Sequence, residues 1–173
     1  MQASLKPQEC NYWVTVQWPY RVDQNLNIPR SEVYLRDGLE AVGADLRPDD
    51  LVAVYETKDG RHLIRKDASG EKVIKYHRGH QGIVALLKVT TELRPDETRT
   101  PEHYTKGPEI LWKWYSEAKQ YSTSGFVSRQ DLTDILNFDP NYKFCGFGDR
   151  KSGLKKITKE QFIKISELFT RKG

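Results

Sequence analysis

Cysteine is nearly absent from this sequence. Its 173 residues hold only Cys10 and Cys145, too few for the disulfide framework of a small secreted scaffold. They are also too few for a structural zinc site, which as a rule takes four Cys or His ligands. Long apolar runs are missing as well. No stretch approaches the roughly 18–20 apolar residues that cross a bilayer as a helix, and the opening "MQASLKPQEC" has no apolar run of the secretory type. A cytoplasmic location away from membranes is the expectation. The familiar signatures of chemistry are lacking too: no Walker phosphate loop, no Gly-x-Ser-x-Gly elbow, no His-Glu-x-x-His and no dinucleotide fingerprint. The glycine-rich "GFGDRKSG" at 146–153 lacks the Gly-x-Gly-x-x-Gly spacing and reads as a basic loop before a helix. Neither a catalytic residue nor a cofactor is expected.

What is present describes a folded domain. An aromatic content of 11% argues against disorder, beside 37% apolar and 30% charged residues. The length suits one domain over 1–173. Its net charge of +4 is unevenly placed: the segment 141–173 holds nine Lys and Arg against three Asp and Glu, while 1–140 is slightly acidic. A basic stripe favours phosphate through counterion release, which makes Lys143, Arg150, Lys151, Lys155 and Lys156 candidates for a nucleic-acid backbone. The plainer reading of such a run is a solvated helix face.

In "YWVTVQW" the residues Tyr12, Val14, Val16 and Trp18 fall on one face of a strand and Trp13, Thr15 and Gln17 on the other; Pro19 then denies a ladder hydrogen bond. Ser31 followed by Tyr34, Leu35, Leu39 and Val42 predicts a helix over 31–42, with Gly43 as its stop. A β-rich run at 51–57, a Lys-Asp-Gly turn and a run at 61–66 predict a hairpin, and 83–93 a buried strand. Residues 94–109 read as a long loop. The segment "ILWKWYSEAKQY" fits both periods, helical slightly better. Two capped helices follow: one after Ser128, and one after Thr158 with Gln161 in a capping box and Phe162, Ile165 and Phe169 along one stripe.

This order of elements resembles the EVE domains, relatives of the YTH domains within the PUA-like superfamily. The resemblance spans about 12–170 and rests on four short stretches. "YWVTVQW" stands where the family opens with a Tyr-Trp strand, and "PDDLVAVYE" where it has Pro-Gly-Asp before an apolar strand. "GIVALLKV" stands where it has Gly-Ile-(Val/Ala), and "ITKEQF" opens the closing helix. Two departures are evident: "PYRVDQNLN" replaces the family's charged run after the first strand, and a hairpin with a basic tail, about 57–81, looks inserted. The resemblance implies an α+β fold, a PUA-like curved mixed sheet or pseudo-barrel flanked by short helices. It also implies a strand at 110–117, against the helical periodicity.

The family's pocket walls are aromatic and hold one modified base flipped out of its strand. By resemblance, Trp18, Tyr20, Trp112 and Trp114 become the candidate cage, with Asp23 and Asn25 as candidates to read the base edge. Stacking suits the task, at about 1–3 kcal/mol per base, with polar groups reading the edge. In "YHRGHQG" the pair His77 and His80 lacks further ligands in view, so no metal is expected; Arg78 and His80 are candidates for phosphate contact. The reading is therefore a non-enzymatic module recognising a modified base in DNA or RNA. In modification-dependent restriction such a domain works beside a nuclease, fused or separate. A small nucleotide-processing enzyme and a protein-interaction module remain as alternatives.

Overall fold

The structure, a computed structural model, describes residues 9–122, 124–144 and 153–171. Its strands are β1 (Tyr12–Gln17), β2 (Glu32–Leu35), β3 (Leu51–Glu56), β4 (Leu63–Asp67), β5 (Gly70–Ile74), β6 (Gly82–Val89), β7 (Arg94–Pro95), β8 (His103–Tyr104), β9 (Trp114–Ser122), β10 (Val127–Ser128) and β11 (Leu154–Ile157). Its helices are α1 (Arg129–Leu136) and α2 (Lys159–Arg171). Among the described residues no helix is long and apolar enough to cross a membrane.

The main sheet runs in the order β11-β1-β3-β6-β9-β2, with β10 beside β6 and β7 beside β9. It is mixed: β1 pairs with β3 in parallel, and its remaining pairings are antiparallel. It also curls. Trp13 of β1 and Val33 and Leu35 of β2 are remote in strand order, yet they share one core with Val52, Val54 and Leu87. Across the same gap Gln17 Nε2 donates to the Glu32 carbonyl at 2.8 Å. The result is a half-barrel.

The convex face is closed by the two helices. Val14, Ala53, Tyr55, Ile83 and Leu86 pack there on Leu132, Leu136, Phe162, Ile165 and Phe169. The capping residues act as the sequence predicts. Ser128 Oγ accepts from the Asp131 amide at 3.1 Å; the Thr158 amide donates to Gln161 Oε1 at 3.0 Å and the Gln161 amide to Thr158 Oγ1 at 3.1 Å. Ile83 and Ala85, two residues apart, serve opposite cores because the β3–β6 register shifts between Val54 and Tyr55, leaving Val84 as an extra residue.

Three expectations are corrected. Residues 31–42 form no α-helix: 32–35 is strand and Glu40–Gly43 a 3-10 turn. Pairing with β9 fixes Val33 and Leu35 inward, and the Ser31 carbonyl accepts from the Ala118 amide at 2.8 Å instead of starting a helix. Tertiary pairing here overrides local period. The strand expected at 110–117 begins at Trp114 and runs to Ser122, while Ile110 makes only an isolated bridge to Glu102. The hairpin expected between 51–57 and 61–66 falls one turn later. β4 pairs with β5 across Asp67–Gly70, where Asp67 Oδ1 accepts from the Ser69 amide at 2.8 Å and Gly70 has φ of +121°.

The region 57–81 is thus a small second sheet, β5-β4-β8, completed by a strand from the long segment 94–109. Its own core of Leu63, Ile74, Tyr104 and Ile110 packs against Trp18 and Trp112. The functional candidates lie at this junction of the two sheets.

Candidate functional site

Where β1 ends, Pro19 follows and the chain leaves the main sheet with Trp18 half-buried. The Trp18 indole meets three rings nearly at right angles: Tyr76 at 5.6 Å and 80°, Tyr104 at 5.3 Å and 87°, and Trp112 at 5.8 Å and 82° between centroids and planes. Tyr34 in turn meets Trp112 edge-on at 5.8 Å. Edge-to-face contacts suit the ring quadrupoles and hold the rings against one another. These rings wall a cavity of about 580 Å³, within the ordinary size of a small-molecule site.

The rings are held by polar partners. Trp112 Nε1 donates to Tyr104 Oη at 2.9 Å, and Tyr104 donates to Glu102 Oε2 at 2.6 Å. Desolvation and the Glu102 hydrogen bond hold the Tyr104 hydroxyl well above the usual tyrosine range, so it stays a donor at neutral pH. Desolvation likewise pushes Tyr76 up. Tyr20 forms the outer wall: its hydroxyl bonds the Ile28 carbonyl, and the Arg30 guanidinium stacks on its ring at 4.3 Å.

Positive charge surrounds these rings. Arg21, Arg30, Arg36 and Arg99 all line the cavity. Arg36 lies over the Trp112 ring at 5.4 Å, and desolvation lowers its proton affinity. Arg99 is braced by Asp96 at 3.1 Å and donates to the Trp112 carbonyl at 3.1 Å. Arg30 is the most embedded. It donates to Gln17 Oε1, the Trp18 carbonyl and Glu56 Oε2, at 3.1, 2.9 and 2.8 Å. Glu56, itself buried, also accepts from the His80 backbone amide at 3.0 Å and lies 2.8 Å from His80 Nδ1. Desolvation raises the Glu56 carboxyl, but the hydrogen bonds from His80 and Arg30 and the Arg30 charge outweigh it and hold the carboxyl below the usual range. Being ionised it can only accept, so His80 Nδ1 carries a proton and Nε2 faces outward.

Of the six residues expected to form the pocket, the structure brings Trp18, Tyr20 and Trp112 together and leaves the other three elsewhere. Trp114 heads β9, opposite Leu35 and Pro95, and packs against the concave core. Because the strand begins only there, Trp112 precedes it and the two indoles do not share a strand face. Asp23 pairs with Arg21 and Arg65, each at 3.3 Å. Asn25 Oδ1 accepts from the Asn27 amide at 2.9 Å, shaping the loop. Arg78 and His80 line a second cavity, of about 500 Å³, on the far side of Tyr20.

The expected basic stripe is dispersed. Lys155 and Lys156 lie exposed on β11, opposite Val14 and Trp13, toward the start of β1 and away from Trp18. Lys156 sits over the Trp13 ring at 5.6 Å and 3.6 Å from Asp45. Lys143 is exposed after α1; Arg150, Lys151 and Cys145 lie outside the described residues. Among the described residues no three His, Cys, Asp or Glu side chains gather as a metal site.

Sequence reasoning missed Tyr34, Tyr76, Tyr104 and the arginines of the cavity. Only the clustering of Arg21, Arg30 and Arg36 around the first strand's end could have pointed there. Comparison of the sequence with protein-family models and with curated proteins returns no match to either.

Proposed function

We propose that the aromatic cavity binds a single nucleobase extruded from a nucleic-acid strand, and that the domain is a non-enzymatic reader of a modified base in the manner of PUA-like domains. The observation that carries this is the near-perpendicular pair Trp18 and Trp112 walling a cavity lined by four arginines. A flat base gains about 1–3 kcal/mol by stacking on one of these indoles, and a methyl or hydroxymethyl substituent adds area to be buried among the rings. The guanidinium groups of Arg21, Arg36 and Arg99 meet the phosphates beside the extruded nucleotide. Glu102 supplies an acceptor for the base edge, held in place by the Tyr104 hydroxyl that donates to it. A reader of this kind acts beside a nuclease, fused or separate. The curled mixed sheet with two helices supports the kinship with EVE domains that the sequence motifs imply.

The test is titration of the protein with oligonucleotides carrying methylated or hydroxymethylated bases, each beside its unmodified twin, followed by tryptophan fluorescence. Tighter binding of one modified strand, with quenching that Trp18→Phe or Trp112→Phe reduces, is the expected result. Absence of binding to every strand at low salt sinks the proposal.

A further inference from the structure

The second cavity has no part in holding the base, yet it shares Pro19, Tyr20 and Arg30 with the first. The partition between them is one tyrosine ring with a guanidinium stacked on it at 4.3 Å. One part of its lining is apolar: Leu26 and Ile28 are 57% and 52% exposed, large side chains that the fold itself does not bury. The rest includes Arg78 and His80.

The His80 turn is built to hold its side chains in place. The His77 amide donates to the Tyr20 carbonyl at 2.8 Å and the Gly79 amide to the Lys58 carbonyl at 2.7 Å. A Cβ on Gly79 would stand 1.7 Å from the Thr57 carbonyl oxygen, so only glycine lets the two segments approach this closely. With Nδ1 engaged by Glu56, His80 presents Nε2 to the solvent, its side chain 71% exposed.

We propose that this cavity is a second nucleotide subsite, taking the nucleotide next to the extruded one on the same strand. The flat face of its base rests on Leu26 and Ile28, and its phosphate meets the Arg78 guanidinium. A nucleotide has this same division between an apolar face and an anionic group, and the strand crosses from one site to the other over Tyr20 and Arg30. The domain then reads a two-nucleotide step, with a preference at one neighbouring position. This rests on base binding in the first cavity.

The experiment compares methylated and hydroxymethylated mononucleotides of cytosine and adenine with dinucleotides that add a neighbour on the 5′ or the 3′ side. Binding is followed by tryptophan quenching. On one side only, the dinucleotide should bind about fivefold tighter, from apolar surface covered on Leu26 and Ile28. The exposed double variant Leu26→Ser/Ile28→Ser, and separately Arg78→Ala, should remove that gain while mononucleotide affinity stays unchanged. If mononucleotides bind and neither neighbour adds affinity, or if the gain survives both variants, the subsite is overturned and the base pocket stands. If neither mononucleotides nor dinucleotides bind, both readings fall together.

Discussion

Trp18 and Trp112 meet edge to face, their centroids 5.8 Å apart and their planes at 82°, although one follows the first strand and the other precedes the ninth. The contact joins the main sheet to the small one, since both rings also pack on the core of Leu63, Ile74, Tyr104 and Ile110. Both rings also line the cavity of about 580 Å³ at that junction.

Replacing Trp18 or Trp112 by alanine should therefore weaken binding of the preferred modified oligonucleotide about 5- to 150-fold, the equivalent of roughly 1–3 kcal/mol of stacking. The unmodified twin should lose less. Trp13→Ala is the contrast, since its ring is buried and its Nε1 donates to Asp50 at 2.9 Å. That variant should lose about 3–5 kcal/mol of folding stability. Trp114→Ala should also act on stability and leave the base preference alone. Thermal unfolding beside titration of both oligonucleotides separates the two kinds of tryptophan.

The salt dependence of binding should follow the arginines of the cavity. Arg36→Ala should lower the log–log salt slope by about 0.7–0.9, the contribution of one neutralised phosphate. Charge reversal at Lys155 and Lys156, on the strand edge toward the other end of β1, should change it little. A slope altered by the lysines and insensitive to Arg36 would move the backbone path to β11.

Breaking the Arg30–Glu56 pair should destabilise the fold. The side chains are only 9% and 7% exposed, so Glu56→Ala leaves a buried guanidinium uncompensated, at a cost of about 3–5 kcal/mol. The contact with His80 adds little, that ring being mostly in solvent. Glu56 is held below the usual range in the fold, so its stabilisation is present above the ordinary glutamate value of about 4.3. It is lost as pH falls through the lower folded value. Wild-type melting temperature should drop more steeply below about pH 4 than that of Glu56→Gln, as calorimetry across that range would show.

Gly79→Ala should disturb the His80 turn. The added methyl would overlap the Thr57 carbonyl oxygen, backbone that cannot simply rotate away, so a loss of at least about 1–3 kcal/mol is expected. Gly38→Ala is the comparison: its φ is +86° but nothing lies within 4 Å of the new atom, so it carries the backbone strain without the collision.

Much of this architecture is legible in the chain. Thr158 with Gln161, Ser128 with Asp131 and the alternation of "YWVTVQ" act locally, and local chemistry decides those elements. Residues 31–42 mislead because their helical spacing competes with a strand partner some eighty residues away, which the sequence does not display. The pocket is read in part for the same reason. Trp18 and Trp112 announce themselves as large rings beside a proline and a long loop, whereas Tyr34, Tyr76 and Tyr104 become walls only because two sheets converge. Trp114 is drawn inward by a strand that starts where the alternation did not place it.

The outer edge of β1 is covered by β11, and Thr15 Oγ1 donates to the Gly153 carbonyl across 138 positions of sequence. During synthesis the strand that leads into Trp18 therefore waits with one row of amides and carbonyls unmatched until nearly the whole domain has left the ribosome. Such an edge invites pairing with other chains, and contacts between distant parts of the sequence form slowly. A chain stalled before residue 153 would hold Trp18 and Trp112 and still lack the strand that closes the sheet edge, which makes incomplete products of this protein prone to associate through β1.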